Sequence, residues 1–122
     1  MNYARKRIAE IKEDRRKAIS RDVSVPKCAA ILTALAHPTR LLMMVYLLEG
    51  DATVADLLAN VGGSRSGLSQ HLKEMREIGL IDSRSEGTWR FYFCNSNEAR
   101  IIVRWLEKLA DQGKISQNSF IS

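Results

Sequence analysis

The feature that most constrains the fold of this chain is a change in apolar spacing at Gly79. Before this glycine, apolar residues recur every three or four positions, as on one face of a helix; after it, two short runs alternate as strands do. Upstream, the pair Gly62-Gly63 separates two short helical segments by a tight turn. The order predicts a mostly helical fold of the α+β class, in which a helix-turn-helix is followed directly by a small β-hairpin.

Cap and break residues divide the rest of the chain into helices. Pro26 after Ser24 is a start signal, because proline fits the first turn of a helix. Pro38, beside which His37 is expected to cap or pack, begins a second and almost continuously apolar helix that stops at Gly50. Further starts are predicted at a capping box formed by Thr53 and Asp56, at Ser64 and at Asn95, with ends at Gly79 and Gly113.

Charge is concentrated at the start of the chain. The 122 residues carry a formal net charge of +5, and residues 1–22 contribute +4 of it, with eight basic and four acidic side chains. The sequence is 45% hydrophobic, which is enough for a core. We expect a charged helical extension at 1–22, a folded domain at 23–113 and a flexible tail at 114–122. The basic surplus favours a polyanionic partner.

The helix predicted at residues 65–78 is the best candidate for a surface that reads DNA. Its apolar side chains fall on one face, predicted to face the core: Leu68, Leu72, Met75 and Ile78. Arg suits guanine, Gln suits adenine and Lys suits phosphate, so the polar face fits a major groove, and the hairpin fits the backbone or minor groove. The candidate DNA-binding residues are Ser64, Arg65, Ser66, Ser69, Gln70, His71, Lys73, Arg76, Arg84 and Arg90.

Three stretches carry a resemblance to a known family: ALAHPTRLLMMVYLLEG, SRSGLSQHLKEMREIGLI and SRSEGTWRFYF. In order and spacing they resemble the ArsR/SmtB family of winged helix-turn-helix transcriptional repressors, over roughly residues 27–111. The resemblance implies a homodimer built by the first and last helices of that region, which binds a palindromic operator and releases it when an effector binds. It places residues 64–71 in the recognition helix and 84–90 in the wing. Family members often carry Gln where Arg65 stands, so no base preference transfers there.

The family's metal and metalloid sensors use a Cys-x-Cys type motif before the recognition helix, or a His/Asp/Glu set on the last helix. In this chain residues 51–56 read DATVAD, and the last predicted helix has no His. Zn(II) and As(III) therefore lack their usual thiolate or imidazole ligands, and we expect no metal site and no cofactor. Thiol chemistry, an organic ligand and control by abundance alone stay open as modes of regulation.

Cys28 and Cys94 are the candidate redox or effector residues. Each occupies an apolar position, so one interpretation is packing as a small hydrophobe and the other is redox or persulfide chemistry. In the thiol-sensing relatives the first cysteine of the pair falls where Val45 stands. One strand face carries three aromatic side chains, which either pack against the leader or a neighbouring subunit or line a site for a flat organic effector: Trp89, Phe91 and Phe93.

Two functional classes follow from these patterns. The first is a homodimeric, cytoplasmic repressor of double-stranded operator DNA; the alternative is a winged-helix dimerisation or protein-interaction module without specific DNA binding. An enzyme is not expected, because the two His and two Cys form no nucleophile–base pair and no phosphate loop is present. No apolar run approaches the roughly 18 residues of a membrane span, and no signal-peptide core follows the N-terminus.

Overall fold

A computed structural model describes the backbone of residues 3–22 and 25–113. The chain divides into two compact units, Met1–Thr33 and Ala34–Ser122. The first contains helix α1 (Tyr3–Asp22), which falls in the predicted charged extension, and most of helix α2 (Val25–Leu35). The predicted tail at 114–122 lies outside the described residues.

The second unit contains the helix-turn-helix and the hairpin that the sequence predicted. In chain order they are α3 (Pro38–Glu49), α4 (Val54–Val61), α5 (Arg65–Glu77), β1 (Ile81–Glu86), β2 (Trp89–Cys94) and α6 (Asn97–Asp111). Gly62 and Gly63 join α4 to α5 with φ values of +85° and +86°, a region that L side chains rarely adopt. The predicted order is confirmed, and the glycine pair is what allows so short a turn.

The helix starts in this unit are fixed by local hydrogen bonds. Thr53 Oγ1 accepts from the Asp56 amide at 3.1 Å, and Asp56 Oδ2 accepts from the Thr53 amide at 3.0 Å, which confirms the capping box. His37 Nδ1 accepts from the Thr39 amide at 3.2 Å, so His37 caps α3 as expected. Since these bonds span two or three residues, they could be anticipated from sequence.

Two boundaries differ from the prediction. The hairpin turn was expected at residues 85–88, but Glu86 pairs with Trp89, which leaves a two-residue turn whose Gly87 has a φ of +62°. Helix α6 is capped by Ser96, whose Oγ accepts from the Ala99 amide at 3.1 Å, and not by Asn95. The amide of Asn95 instead donates to Leu80 O at 2.9 Å and continues the strand pairing.

The core lies where α3, α4, α5, α6 and the base of the hairpin meet. Its fully buried large side chains are Met43, Met44, Leu57, Leu72, Met75, Leu80, Ile81 and Val103. Ile78 was predicted to join them, but it is 43% exposed because α5 ends at Glu77 and Ile78 is already the C-cap. Leu80 and Ile81 take the buried positions beyond the turn.

One further backbone pairing joins the α3–α4 connection to the hairpin. The Ala52 amide donates to Tyr92 O at 3.1 Å, and the Tyr92 amide donates to Ala52 O at 2.8 Å. This bridge lies beside the start of α4, so two backbone hydrogen bonds connect the helix-turn-helix to the hairpin. Within the ranges 3–22 and 25–113, no single helix is both long enough and apolar enough to cross a membrane.

Candidate nucleic-acid interface

Helix α5 is held by its start and by its apolar face. Ser64 Oγ accepts from the Gly67 amide at 3.0 Å, so its hydroxyl caps the helix. Leu68, Leu72 and Met75 are all buried, with at most 2% of each exposed, as the apolar spacing predicted. The opposite face of α5 is therefore fixed toward solvent.

That exposed face brings together most of the predicted DNA-binding residues. The exposed members on α5 are Arg65, Ser66, Ser69, Gln70, Lys73 and Arg76. Within the described residues no ion-pair partner is found for Arg65 or Lys73, so both charges are available to an external anion. Gln70 differs, because its Nε2 donates to Glu74 Oε1 at 3.0 Å, one turn along the helix.

Glu74 is itself held by an arginine from another helix. Arg40, on α3, forms an ion pair with Glu74, and its Nε donates to His71 Nδ1 at 3.0 Å. Only 16% of the Arg40 side chain is exposed, compared with 42% of Glu74. A chain of contacts thus runs from α3 through Glu74 to the amide of Gln70, which fixes the direction in which that amide points.

His71 faces inward on this network. It is half-buried, and its ring lies 4.5 Å from that of His37, centroid to centroid, in an edge-on arrangement. Burial, and next the nearby charges of His37 and Arg40, lower the pKa of His71 below its ordinary value of 6.5. The neutral ring is the form whose Nδ1 can accept from Arg40. A DNA contact by His71 remains a prediction.

Two shallow grooves extend the exposed face of α5 onto the hairpin. One of about 360 Å³ is lined by Tyr92 of β2 and by four residues of α5, of which two are basic and one is acidic: Ser69, Lys73, Arg76 and Glu77. Another of about 250 Å³ joins Arg65 to Thr88, Trp89 and Arg90 at the hairpin tip. The structure therefore places Arg65 and Arg90 on one continuous surface, although 25 positions separate them in sequence.

The remaining predicted arginines make contacts within the protein. Arg76 Nη2 lies 3.5 Å from Asp82 Oδ1 and so connects α5 to β1. Arg84 pairs with Asp51 and with Glu86, and these hydrogen bonds raise its pKa above the ordinary arginine value. Arg90 Nη1 donates to Ser83 Oγ at 3.1 Å. Each guanidinium has five N–H donors, so these contacts still leave donors for phosphate.

The three aromatic side chains predicted on one face of β2 differ in their exposure along the hairpin. Trp89, at the tip, is 61% exposed, whereas Phe91 and Phe93 are half-buried. The Arg84 guanidinium carbon lies 5.1 Å from the Phe91 ring centroid, a cation–π contact that covers this ring. The three rings therefore do not form one open wall.

The two cysteines lie in different units of the fold. Cys94 is buried, and its Sγ lies 3.4 Å from Ser96 O, as a packed thiol that donates to a carbonyl. Cys28 is half-buried on α2. In the part of the chain that the structure describes, no three His, Cys, Asp or Glu side chains converge to hold a metal ion.

Sequence reasoning missed Arg40 and Glu74. The available signal was a single arginine within the apolar run of α3, where a charge needs a partner to be buried. The sequence could not name that partner, because Glu74 lies 34 positions away.

Comparison with known proteins gives the same picture. The profile of a family described as "Bacterial regulatory protein, arsR family" matches residues 37–83, from the start of α3 to within β1. The chain is 34% identical over 83 residues to the transcriptional activator HlyU of Vibrio cholerae, a match that covers 68% of this chain and 77% of that protein. Arg40, Glu74 and the exposed face of α5 all lie within the residues that the family profile matches.

Two solved structures are similar in fold. The transcriptional repressor BigR from Xylella fastidiosa has a TM-score of 0.67 at 30% identity, covering 80% of this chain and 94% of that one. A winged helix-turn-helix DNA-binding domain from Mycobacterium bovis, described as homodimeric, has a TM-score of 0.66 at 24% identity, covering 82% and 88%. Both likenesses agree with the arrangement of α4, α5 and the hairpin described above.

Proposed function

The chain belongs to the arsR family of bacterial regulatory proteins, and on that premise we propose that it represses transcription by binding a palindromic operator as a homodimer. A DNA-binding transcriptional regulator is what the family membership itself establishes. The observation that carries the proposal further is the exposed face of α5, which is continuous with the hairpin tip. The proposal includes no catalytic role, and it puts the protein in the cytoplasm, where it would meet operator DNA.

In the proposed complex, α5 lies in the major groove and the hairpin follows the adjacent backbone or minor groove. Arg65 and Gln70 read bases, while Lys73, Arg76, Arg84 and Arg90 contact phosphates. Glu74 accepts one N–H of the Gln70 amide, which leaves the second N–H and the amide oxygen for adenine N7 and N6. Glu74 therefore orients a base-reading residue without touching DNA.

Ser64, Ser66, Ser69 and His71 complete the proposed surface. Ser64 Oγ accepts from the Gly67 amide and lies 3.4 Å from Ser66 Oγ, so one of these two hydroxyl groups keeps a hydrogen to donate to phosphate. Ser66 and Ser69 are exposed and fit either base edges or phosphate. His71 contributes indirectly, as an acceptor for Arg40.

The homodimer is supported by an apolar surface on α6. Three large side chains of this helix are exposed: Ile101 at 53%, Trp105 at 58% and Leu106 at 37%. Such a group on one helix is typical of an interface. In sedimentation experiments, we expect Trp105→Asp to shift the protein toward monomer and Trp89→Ser, which removes an equally exposed ring from the hairpin, to leave the dimer intact. A dimer unchanged by Trp105→Asp would contradict this assignment.

DNA binding is tested by fluorescence anisotropy on the DNA upstream of the protein's own gene, at several salt concentrations. Arg65→Ala and Gln70→Ala should each lose about 1–3 kcal/mol of discrimination between the operator and a scrambled site. Lys73→Ala should weaken binding to both sites alike and reduce the log–log salt slope by about 1. Binding that is weak, salt-labile and equal on both sites would favour the protein-interaction module instead.

The cysteines are the candidate redox or persulfide sensors, and the same assay tests them. Diamide and a persulfide donor are added to the operator complex of the wild type, of Cys28→Ser and of Cys94→Ser. Release from the wild type that either substitution prevents would identify that thiol as a sensor. Release that persists in the double variant would exclude both.

A further inference from the structure

A second site lies on the side of the domain formed by α3, α6 and the base of the hairpin. It is an open cavity of about 550 Å³, and no residue of α5 lines it. Its walls come from the C-terminal turn of α3, the α3–α4 connection, both strands and the first half of α6. A volume of this size is within the range of small-molecule sites.

The floor of the cavity is apolar. Leu47 and Cys94 are buried beneath it, and Leu48 and Phe93 are half-buried at its sides. Such a floor favours a ligand with an aromatic or aliphatic body, because apolar area is removed from water on binding. An inorganic anion would leave this apolar floor exposed to water.

The rim of the cavity is cationic. Three guanidinium groups line it, from Arg84, Arg100 and Arg104, against the single carboxylate of Asp51. Arg100 and Arg104 are one turn apart on α6 and so share a face of that helix. The rim therefore favours a ligand that carries a negative charge.

Internal ion pairs occupy part of this rim but not all of it. Arg104 donates to Leu48 O at 3.0 Å, Glu49 at 3.3 Å and Glu107 at 2.9 Å through its two Nη atoms. Arg84 uses Nε and Nη1 on Glu86 and Asp51. Among the described residues, no ion-pair partner is found for Arg100. Arg100 thus supplies the unpaired charge, and in the same part of the chain no hydrogen bond is found for Nη2 of Arg84, which also lines the cavity.

We propose that this cavity binds a small organic anion, a carboxylate with a flat apolar body, whose carboxylate lies between Arg100 and Arg84 and whose body covers Phe93 and Leu48. The carboxylate competes with Asp51 for Arg84. Since Arg84 belongs to β1, the ligand changes how the hairpin is held against the α3–α4 connection. This coupling of ligand binding to the hairpin rests on the proposed function, in which the hairpin contacts DNA.

The binding step is tested on the free protein with 1-naphthoate, and with the neutral 1-naphthamide as the matched ligand. We expect saturable shifts of the Gly50, Asp51 and Phe93 amides in ¹H–¹⁵N spectra, and binding of naphthamide weaker by about tenfold or more, since it lacks the charge-assisted hydrogen bonds. Arg100→Gln should weaken naphthoate binding by a similar factor. Arg65→Gln, which removes a charge outside the cavity, should leave it unchanged.

Three results would overturn the site: equal binding of naphthoate and naphthamide, equal loss in Arg65→Gln and Arg100→Gln, or shifts confined to the exposed apolar face of α6 around Trp105. The coupling is tested separately by operator affinity with and without saturating naphthoate. An affinity unchanged within twofold refutes the coupling while the binding result stands. A protein that binds naphthoate as expected but no operator would refute the proposed function and not the cavity.

Discussion

The ion pair between Arg40 and Glu74 is expected to contribute more to stability than any ordinary surface pair in this protein. Arg40→Met removes the cation and keeps the length of its apolar stem. Glu74 then loses its partner, and His71 Nδ1 loses its donor. Both losses fall between α3 and α5, so the free energy of unfolding should decrease.

The magnitude follows from the burial of the two side chains. Removing one partner of a fully buried pair costs about 3–5 kcal/mol, whereas exposed pairs contribute about 0–1 kcal/mol. Arg40 is 16% exposed and Glu74 is 42% exposed, so the carboxylate can be rehydrated when the cation is removed. We therefore expect a loss of about 2 kcal/mol for Arg40→Met, between these two limits.

A double-mutant cycle isolates the pair from other effects of the substitutions. The free energy of unfolding is measured by urea denaturation for the wild type, Arg40→Met, Glu74→Gln and the double variant. All four are measured at one protomer concentration, because the proposed dimerisation would make stability depend on concentration. We expect a coupling energy of about 1–2 kcal/mol. The matched control is the cycle for Arg76 and Asp82, which are 43% and 48% exposed with 3.5 Å between the charged atoms.

The two coupling energies together show whether burial strengthens the Arg40–Glu74 pair. The control pair should couple by less than about 0.5 kcal/mol, because both partners are hydrated and screened. If the Arg40–Glu74 coupling is no larger than that of the control, burial does not strengthen this pair. The claim that α3 fixes Glu74, and through it Gln70, would then be wrong.

Three further effects are expected. The free energy of unfolding should fall as pH drops through 6.5, because the unfolded state binds a proton at the ordinary His pKa while the folded pKa of His71 is lower. Urea denaturation at pH 7.5, 6.5 and 5.5 should therefore show a weaker pH dependence for His71→Gln than for the wild type. An identical slope in both proteins would contradict this. Thr53→Ala should cost about 1 kcal/mol by removing the capping hydroxyl of α4, and no loss in urea denaturation would count against the capping box. Gly63→Ala should lower the free energy of unfolding by about 1–2 kcal/mol, because the φ of Gly63 is +86°. The control Gly50→Ala, at an extended φ of 169° with open space around it, should lower it by less than about 0.5 kcal/mol. Equal losses in urea denaturation would count against strain at the Gly63 turn.

Local features of the site were predictable, and the contacts that orient it were not. The cap at Ser64, the buried face of α5 and the exposure of Arg65, Gln70 and Lys73 all follow from spacings of three or four residues along one helix. His71, three positions after Leu68, was predicted to contact DNA. That its ring accepts from Arg40 and lies against His37 depends on how α3 packs on α5.

Two predictions were wrong, the cap of α6 and the burial of Ile78. Asn95 was predicted to cap α6 because Glu98 follows it by three residues, but the amide of Asn95 is used by Leu80, which only strand pairing brings near. Ile78 fitted the helical spacing, yet the helix ends one residue before it. Sequence periodicity gives the face of an element more reliably than its last residue.

The sequence by itself determined the order of the elements, the caps of α3, α4 and α5, the apolar face of α5 and the residues that α5 exposes. Hydrogen bonds and side-chain neighbours within a helix or a hairpin lie only a few positions apart. Only the tertiary structure decided which distant charges meet. Arg40 with Glu74, Arg84 with Asp51, Ala52 with Tyr92, and the cavity between α3, α6 and the hairpin all join residues more than thirty positions apart. Their pairing is set by the packing of whole elements around one core, which no local spacing encodes.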